Sequence, residues 1–339
     1  MQEDVFLLFA DCIPVKGFRS SIICDLGRQL IYKIPNSFYF FIKKYEGLPV
    51  SKLDKDYNTQ NEKEIIQEYF RFLEENEIIF WCNKEEIFNF PKIKPIWQHF
   101  GSVTNCVIDF SNNIDYEMIL FDLNENGCLY YQFRIEDLKN LAVEKFIKII
   151  NFLKEKCHNF TAFEIISNYH AAIHEDFINT CKQFIHLRKI LFYNAPFNSI
   201  VNNVIFDVIF KDVTSNFKAG KSSIDKNGFF PNSEFFFESR LRNPYYNGKI
   251  VIDKDGNFKN SIESNQTFGN ICSVSLTELI KNEDFTEVWY ACKDKIAVCK
   301  NCEFRYVCLD DRPIFFNYDK SVYMSNIECN YNPITGNWS

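Results

Sequence analysis

The sequence predicts an α/β protein in three parts, and three observations carry that reading. Over residues 100–240, short apolar runs alternate with amphipathic helical patterns, as in parallel β/α units. The first 85 residues instead group three strand-like runs, two helices and a returning strand, a small winged-helix-like layout. The last hundred residues carry cysteines at metal-ligand spacing. A chain of 339 residues has room for two or three such units around sizeable cores.

Taken in order, residues 5–10, 20–24 and 29–34 read as strands, with a turn at Asp25-Leu-Gly27 between the last two. Pro35-Asn-Ser opens a helix over 38–45, which Gly47 ends. A second helix runs over 62–73, where Ile65, Ile66, Tyr69, Phe70 and Leu73 share a face. Residues 77–82 return as a strand, and the proline-bearing stretch 83–101 is a linker.

Strands are expected at 102–110, 118–123, 129–133, 162–166, 189–193 and 204–210. Helices are expected at 135–157 and 174–184. Residues 211–248 are rich in turn signals, Gly220 among them, and Phe235-Phe-Phe237 reads as a short strand within them. Residues 249–252 and 257–259, joined through Asp253-Lys-Asp-Gly256, form a hairpin. Short helices at 276–282 and 284–292 lead into the cysteines.

The chain is organised around Cys299-x2-Cys302-x5-Cys308, followed at a distance by Cys329. Two cysteines two residues apart sit on one turn and can share a metal; four thiolates suit either a [4Fe–4S] cluster or tetrahedral Zn²⁺. Only one C-x2-C knuckle is present, where a zinc ribbon has two.

With Phe304, Arg305 and Tyr306 inside the motif, the segment "CEFRYVCLDDRPIFF…ECNYNP" resembles the SPASM domain, the auxiliary-cluster module of radical-SAM peptide-modifying enzymes. It is most similar to the SPASM-domain peptide maturases of grasp-with-spasm systems. The resemblance covers about residues 240–339. It departs from a full module at Arg312, where a further cysteine belongs, and at Gly269 and Cys272, the remnant of an earlier cysteine pair. It therefore implies one [4Fe–4S] cluster, with Zn²⁺ as the alternative, on Cys299, Cys302, Cys308 and Cys329.

The same resemblance implies three domains. Residues 1–85 would be a PqqD-like precursor-recognition domain, 100–240 a partial or degenerate radical-SAM-type β/α barrel, and 241–339 the SPASM domain. The function implied is maturation of a ribosomally made precursor peptide, as a binding and assembly component beside an ATP-grasp ligase. The peptide would add as a strand at Gln29, Leu30, Ile31 and Tyr32, with Tyr69 on the neighbouring helix. Metal loss would unfold the C-terminal module and leave the N-terminal domain intact.

Catalytic signatures are missing. Cys106 stands where a C-x3-C-x2-C motif would begin, but Phe110 and Asn113 occupy its other two positions, so S-adenosylmethionine is not expected as a cofactor. His170 and His174 lie four apart without the glutamate of H-E-x-x-H and read as a strand-to-helix junction. Asp310-Asp311-Arg312 reads as an acidic loop or local ion pair. No phosphate-binding glycine loop or hydrolase elbow occurs. The alternative function is a redox enzyme, or a divergent radical-SAM peptide-modifying enzyme.

A net charge of −7 argues against nucleic acid as a partner. No apolar run reaches the length of a membrane span. The opening Met1-Gln-Glu-Asp is acidic where an export signal would be basic. Thirteen cysteines without such a signal read as reduced thiols plus a metal site, and the expected compartment is the cytoplasm.

Overall fold

The computed structural model describes residues 4–212 and 228–339, so the acidic opening before Asp4 and the turn expected at Gly220 lie outside the described residues. The chain begins with β1 (Asp4–Leu8), which pairs antiparallel with the returning β5 (Ile79–Asn83). Between them β2 (Cys12–Lys16), β3 (Ser21–Asp25) and β4 (Leu30–Ile34) form a separate antiparallel meander with β3 in the middle. Sequence reading missed β2, because Pro14 sits inside it. The strand tolerates a proline because it is an edge of its sheet.

Every residue of β3 is buried, so Ser-Ile-Ile-Cys-Asp reads as a continuous run rather than an alternation. Its two faces serve two cores. Ile23 packs with α1 (Asn36–Tyr45) and α3 (Gln60–Glu75), whereas Ile22 and Cys24 pack with Phe236, Phe304, Val307 and Tyr331 from the far end of the chain. A short α2 (Ser51–Asp56) precedes α3. Thr59 caps α3 reciprocally: its hydroxyl accepts from the Glu62 N–H at 3.3 Å, and the Glu62 carboxylate accepts from the Thr59 N–H at 3.1 Å.

The large unit is an eight-stranded, mostly parallel sheet ordered β10-β11-β9-β8-β7-β6-β12-β13. Its strands are β6 (Asn105–Asp109), β7 (Tyr130–Ile135), β8 (Ala162–Asn168), β9 (Leu187–Tyr193), β10 (Ser199–Asn202), β11 (Asp207–Phe210), β12 (Lys249–Ile252) and β13 (Phe258–Lys259). The six central strands run parallel, and β10 and β13 close the edges antiparallel. The hairpin expected at 249–259 is present, and its first strand also pairs with β6, so the sheet extends past residue 240.

Helices α4 (Glu117–Glu125), α5 (Val143–Lys156) and α6 (His174–Cys181) link successive strands. The strand expected at 118–123 is therefore wrong: that segment is α4. Parallel neighbours such as β6 and β7 need a crossover, and Ile119, Leu120 and Leu123 bury one helical face while Met118 and Phe121 stay exposed. The strand expected at 235–237 is likewise a helix, α7 (Ser233–Leu241). The Asn232 side chain accepts from the Phe235 N–H at 2.9 Å and starts it. The tail adds α8 (Leu276–Lys281), α9 (Glu283–Thr286) and two small hairpins, β14 (Phe315–Asn317) with β15 (Val322–Met324) and β16 (Tyr331–Asn332) with β17 (Asn337–Trp338). No helix among the described residues is long and apolar enough to cross a membrane.

Strand alternation divides the central sheet by face. Cys106, Ile108, Tyr131, Phe133, Phe163, Ile165 and Ile250 join the large core with α4, α5 and α6. The intervening residues point the other way, into a cavity described below.

Gly248 fixes where β12 joins β6. Its φ is +63°, and a Cβ there would stand 2.9 Å from the Thr104 nitrogen, which donates to the Gly248 carbonyl at 2.8 Å. Gly248→Ala is expected to cost about 1–3 kcal/mol through backbone strain. A urea titration should show a lower midpoint at unchanged slope.

Candidate functional site

The four sequence-predicted cysteines come from three places on the tail. Cys299 opens a 3₁₀ turn ending at Asn301, and the Cys302 N–H closes it onto the Cys299 carbonyl at 2.9 Å. Cys308 follows a second turn, from the Val307 N–H to the Phe304 carbonyl at 3.0 Å. Cys329 sits just before β16, and its sulfur accepts from the Tyr331 N–H at 3.4 Å. Each of the four thiols lies in the electrostatic field of at least two others. Burial pushes the Cys299 thiol up to about 11 and Cys308 to about 12, and raises Cys302 as well, so all three are held protonated at neutral pH.

Against these thiols lies a buried ion cluster. Asp310 accepts from Lys293 Nζ at 2.9 Å and from Arg312 Nε at 2.8 Å, and all three side chains are almost wholly inaccessible. Burial alone would raise the Asp310 carboxyl, yet the two cations hold it well below the usual carboxylate range. Of the two readings for Asp310-Asp311-Arg312, the local ion pair is the observed one. Arg312 Nη2 also reaches Cys299 Sγ at 3.9 Å, so it contributes positive charge beside the thiols.

By residue type the four thiols suit a thiolate-bound metal, and Lys293, Arg312 and Asp310 beside them carry one net positive charge. Among the described residues, no group of three or more His, Cys, Asp or Glu side chains stands in metal-site geometry. Cys272 is exposed in the turn before α8, and Cys292 is buried beside Lys293.

The cysteine segment is clamped to the N-terminal meander. The Phe18 N–H donates to the Asn301 carbonyl at 2.8 Å, and Arg305 Nη1 donates to the Lys16 carbonyl at 2.6 Å. The fully buried Glu303 carboxylate accepts from Ser20 Oγ at 2.6 Å and Tyr331 Oη at 2.5 Å. Gly17 permits this approach, since a Cβ there would stand 2.8 Å from the Glu303 nitrogen. The N-terminal meander and the cysteine segment thus share a core.

The residues expected to bind peptide divide. Leu30, Ile31 and Tyr32 lie on β4, whose single partner among the described residues is β3. Gln29 does not lie on the strand. It takes φ +58° in the preceding turn, which Asp25 organises by accepting from the Arg28 N–H at 2.9 Å. Tyr32 meets Phe72 of α3 edge-on at 6.0 Å. Tyr69 stacks on Phe38 at 3.9 Å, and its hydroxyl pairs with Ser37. His170 and His174 form the expected junction, with the His174 N–H and Nδ1 both against the His170 carbonyl.

Sequence reading missed a cavity of about 440 Å³ on the helix-free face of the central sheet. Asn105 and Val107 of β6, Gln132 and Arg134 of β7 and Glu164 of β8 form its floor. Tyr245, Lys249, Glu263 and Asp311 come in from later in the chain. Asp109 pairs with Arg134 at 3.2 Å, and Glu164 pairs with Lys189 at 2.6 Å and with Gln132. The available signal was polar residues at every second position of strands otherwise built for burial, Tyr-x-Gln-x-Arg in β7 above all.

A comparison with known proteins finds no matching family model and no similar curated protein.

Asp310→Asn leaves two buried cations with one neutral partner and is expected to cost about 3–5 kcal/mol in denaturant unfolding. Because the folded-state carboxyl is depressed, the Asp310 contribution is complete above pH about 4 and declines only as pH falls through strong acid. A wild-type-minus-variant stability difference that stays flat between pH 7 and 5 checks the sign.

Proposed function

We propose that the chain binds a precursor peptide and presents it to a partner ATP-grasp ligase, carrying one metal centre in a SPASM-like tail. The observation that carries this reading is β4. Among the described residues it is an edge strand paired with β3 alone, in a meander packed directly on the cysteine segment. An incoming strand gains affinity from such an edge and specificity from the surface beside it.

In this reading the N-terminal unit, winged-helix-like in its order of elements, is the leader-recognition domain. The parallel sheet is a degenerate radical-SAM-type barrel that does not use S-adenosylmethionine. Leu30, Ile31 and Tyr32 supply the edge, and Tyr69 lines the adjoining helix. That helix carries Glu62, Glu64 and Glu68 against Lys63 and Arg71, which favours a neutral or basic leader. Cys299, Cys302, Cys308 and Cys329 hold the metal. A [4Fe–4S] cluster there supplies a one-electron couple as well as a staple, and Zn²⁺ the staple alone. Lys293 and Arg312 offset the thiolate charge, and Glu303 ties the segment to the meander.

The test is titration of the full chain with the cognate leader, since the meander shares its core with the tail. Ile31→Pro should weaken binding at least tenfold by interrupting the strand, and a backbone N-methylated leader should do the same without altering the protein. Unchanged affinity in both would remove the reading.

The metal is tested separately. Anaerobically purified chain should contain iron or zinc, and Cys302→Ser should lower that content and raise protease sensitivity from residue 290 onward and in the β2–β3 hairpin. Release of 5′-deoxyadenosine from S-adenosylmethionine after anaerobic reconstitution would instead support a radical enzyme.

A further inference from the structure

The cavity on the central sheet places one amine where its chemistry differs from that of every surface lysine. We propose that this cavity is a separate site in which Lys249 binds a small carbonyl compound, an aldehyde or 2-oxo acid, as a reversible imine. The proposal depends neither on the peptide reading nor on a metal.

Four observations support it. Lys249 opens a strand that continues as Ile-Val-Ile, and its neighbour Ile250 faces the helix-covered core while Lys249 lines the cavity. Pairing with Asn105 of β6 and the close fit of Gly248 against Thr104 fix its position. The Lys249 nitrogen stands 3.3 Å from the centre of the Tyr245 ring, a contact that fixes its place in the cavity while favouring the charged form. Burial lowers its pKa to about 7, opposed in part by Glu263 and Asp311. An ordinary lysine holds its free amine in about one molecule in a few thousand at pH 7. The shift toward neutrality brings the free amine within reach at neutral pH, the condition a nucleophilic lysine requires.

The remaining charged groups of the lining are Arg134, Glu164 and Arg188. Arg134 is tied to Asp109, and Glu164 to Lys189. Arg134, beside its pair with Asp109, and Arg188 are the cations of the lining that the carboxylate of a 2-oxo acid would meet, and Glu263 or Asp311 would relay protons. The step balances without an oxidant or reductant. The free amine adds to the carbonyl carbon, its two protons pass to the carbonyl oxygen through a carboxylate, that oxygen leaves as water, and a carbon–nitrogen double bond remains.

The test uses the full chain with limiting glyoxylate and cyanoborohydride, which reduces an imine to a stable amine, followed by mass-spectrometric mapping of every lysine. Lys249 is expected to label at least tenfold faster than the exposed lysines at pH 7, with half-maximal labelling near pH 7. Surface lysines should rise only in alkaline solution. Lys249→Met keeps the side-chain length without the amine and should remove the fast adduct. The pH profile of the wild-type chain stands even if that variant fails to fold. Labelling of Lys249 no faster than the surface set, or with an alkaline midpoint, overturns the proposal.

Discussion

Six parallel strands joined by crossovers that place α4, α5 and α6 against one face leave the other face of the sheet without helical cover. Much of the remaining structure answers that constraint. A parallel sheet is normally buried on both sides. Here the second side receives Tyr245, Ile262, Glu263 and Asp311 from the C-terminal third, which with Lys249 of β12 enclose a space of mixed polarity rather than filling it. The chain's last hundred residues thus serve two purposes: they roof the sheet and they carry the cysteine segment.

The cysteine segment is held by charge as much as by apolar contact. Lys293, Asp310 and Arg312 make a buried ion cluster, and the buried Glu303 carboxylate accepts from two hydroxyls on one of its oxygens. Buried ions are stable only when paired and hydrogen-bonded. Their pairing specifies one arrangement of the turns that bring Cys299, Cys302 and Cys308 together. The neighbouring Phe304, Tyr331 and Trp338 form an aromatic cluster under the meander, with ring centroids 4.8–6.4 Å apart.

Much of this was legible in the sequence where periodicity and length agreed. α3 and α5 are long enough to show an apolar stripe, and the hairpin β12–β13 was marked by its Asp-Gly turn. The errors fall on short apolar runs, for which spacing cannot separate helix from strand. Residues 118–123 and 235–237 became helices because a crossover and an Asn232 cap decided them, and both are tertiary or local hydrogen-bonding facts. The spacing of Cys299, Cys302 and Cys308 places them on successive turns, which the structure shows. The cavity could not be anticipated, because Lys249, Glu263 and Asp311 are far apart in sequence and meet only through the path of the tail.

The clamp between Phe18 and Asn301 makes the β2–β3–β4 sheet and the cysteine segment parts of one packed body. Strand β3 has one face on each side of that body, so nothing can change the pitch of the meander without being felt at residues 301–305. Thermodynamics then requires reciprocity: if a ligand at the β4 edge alters affinity at the thiols by some factor, occupancy of the thiols alters affinity at the edge by the same factor. If ligands bind at both places, loading at either end is then readable at the other.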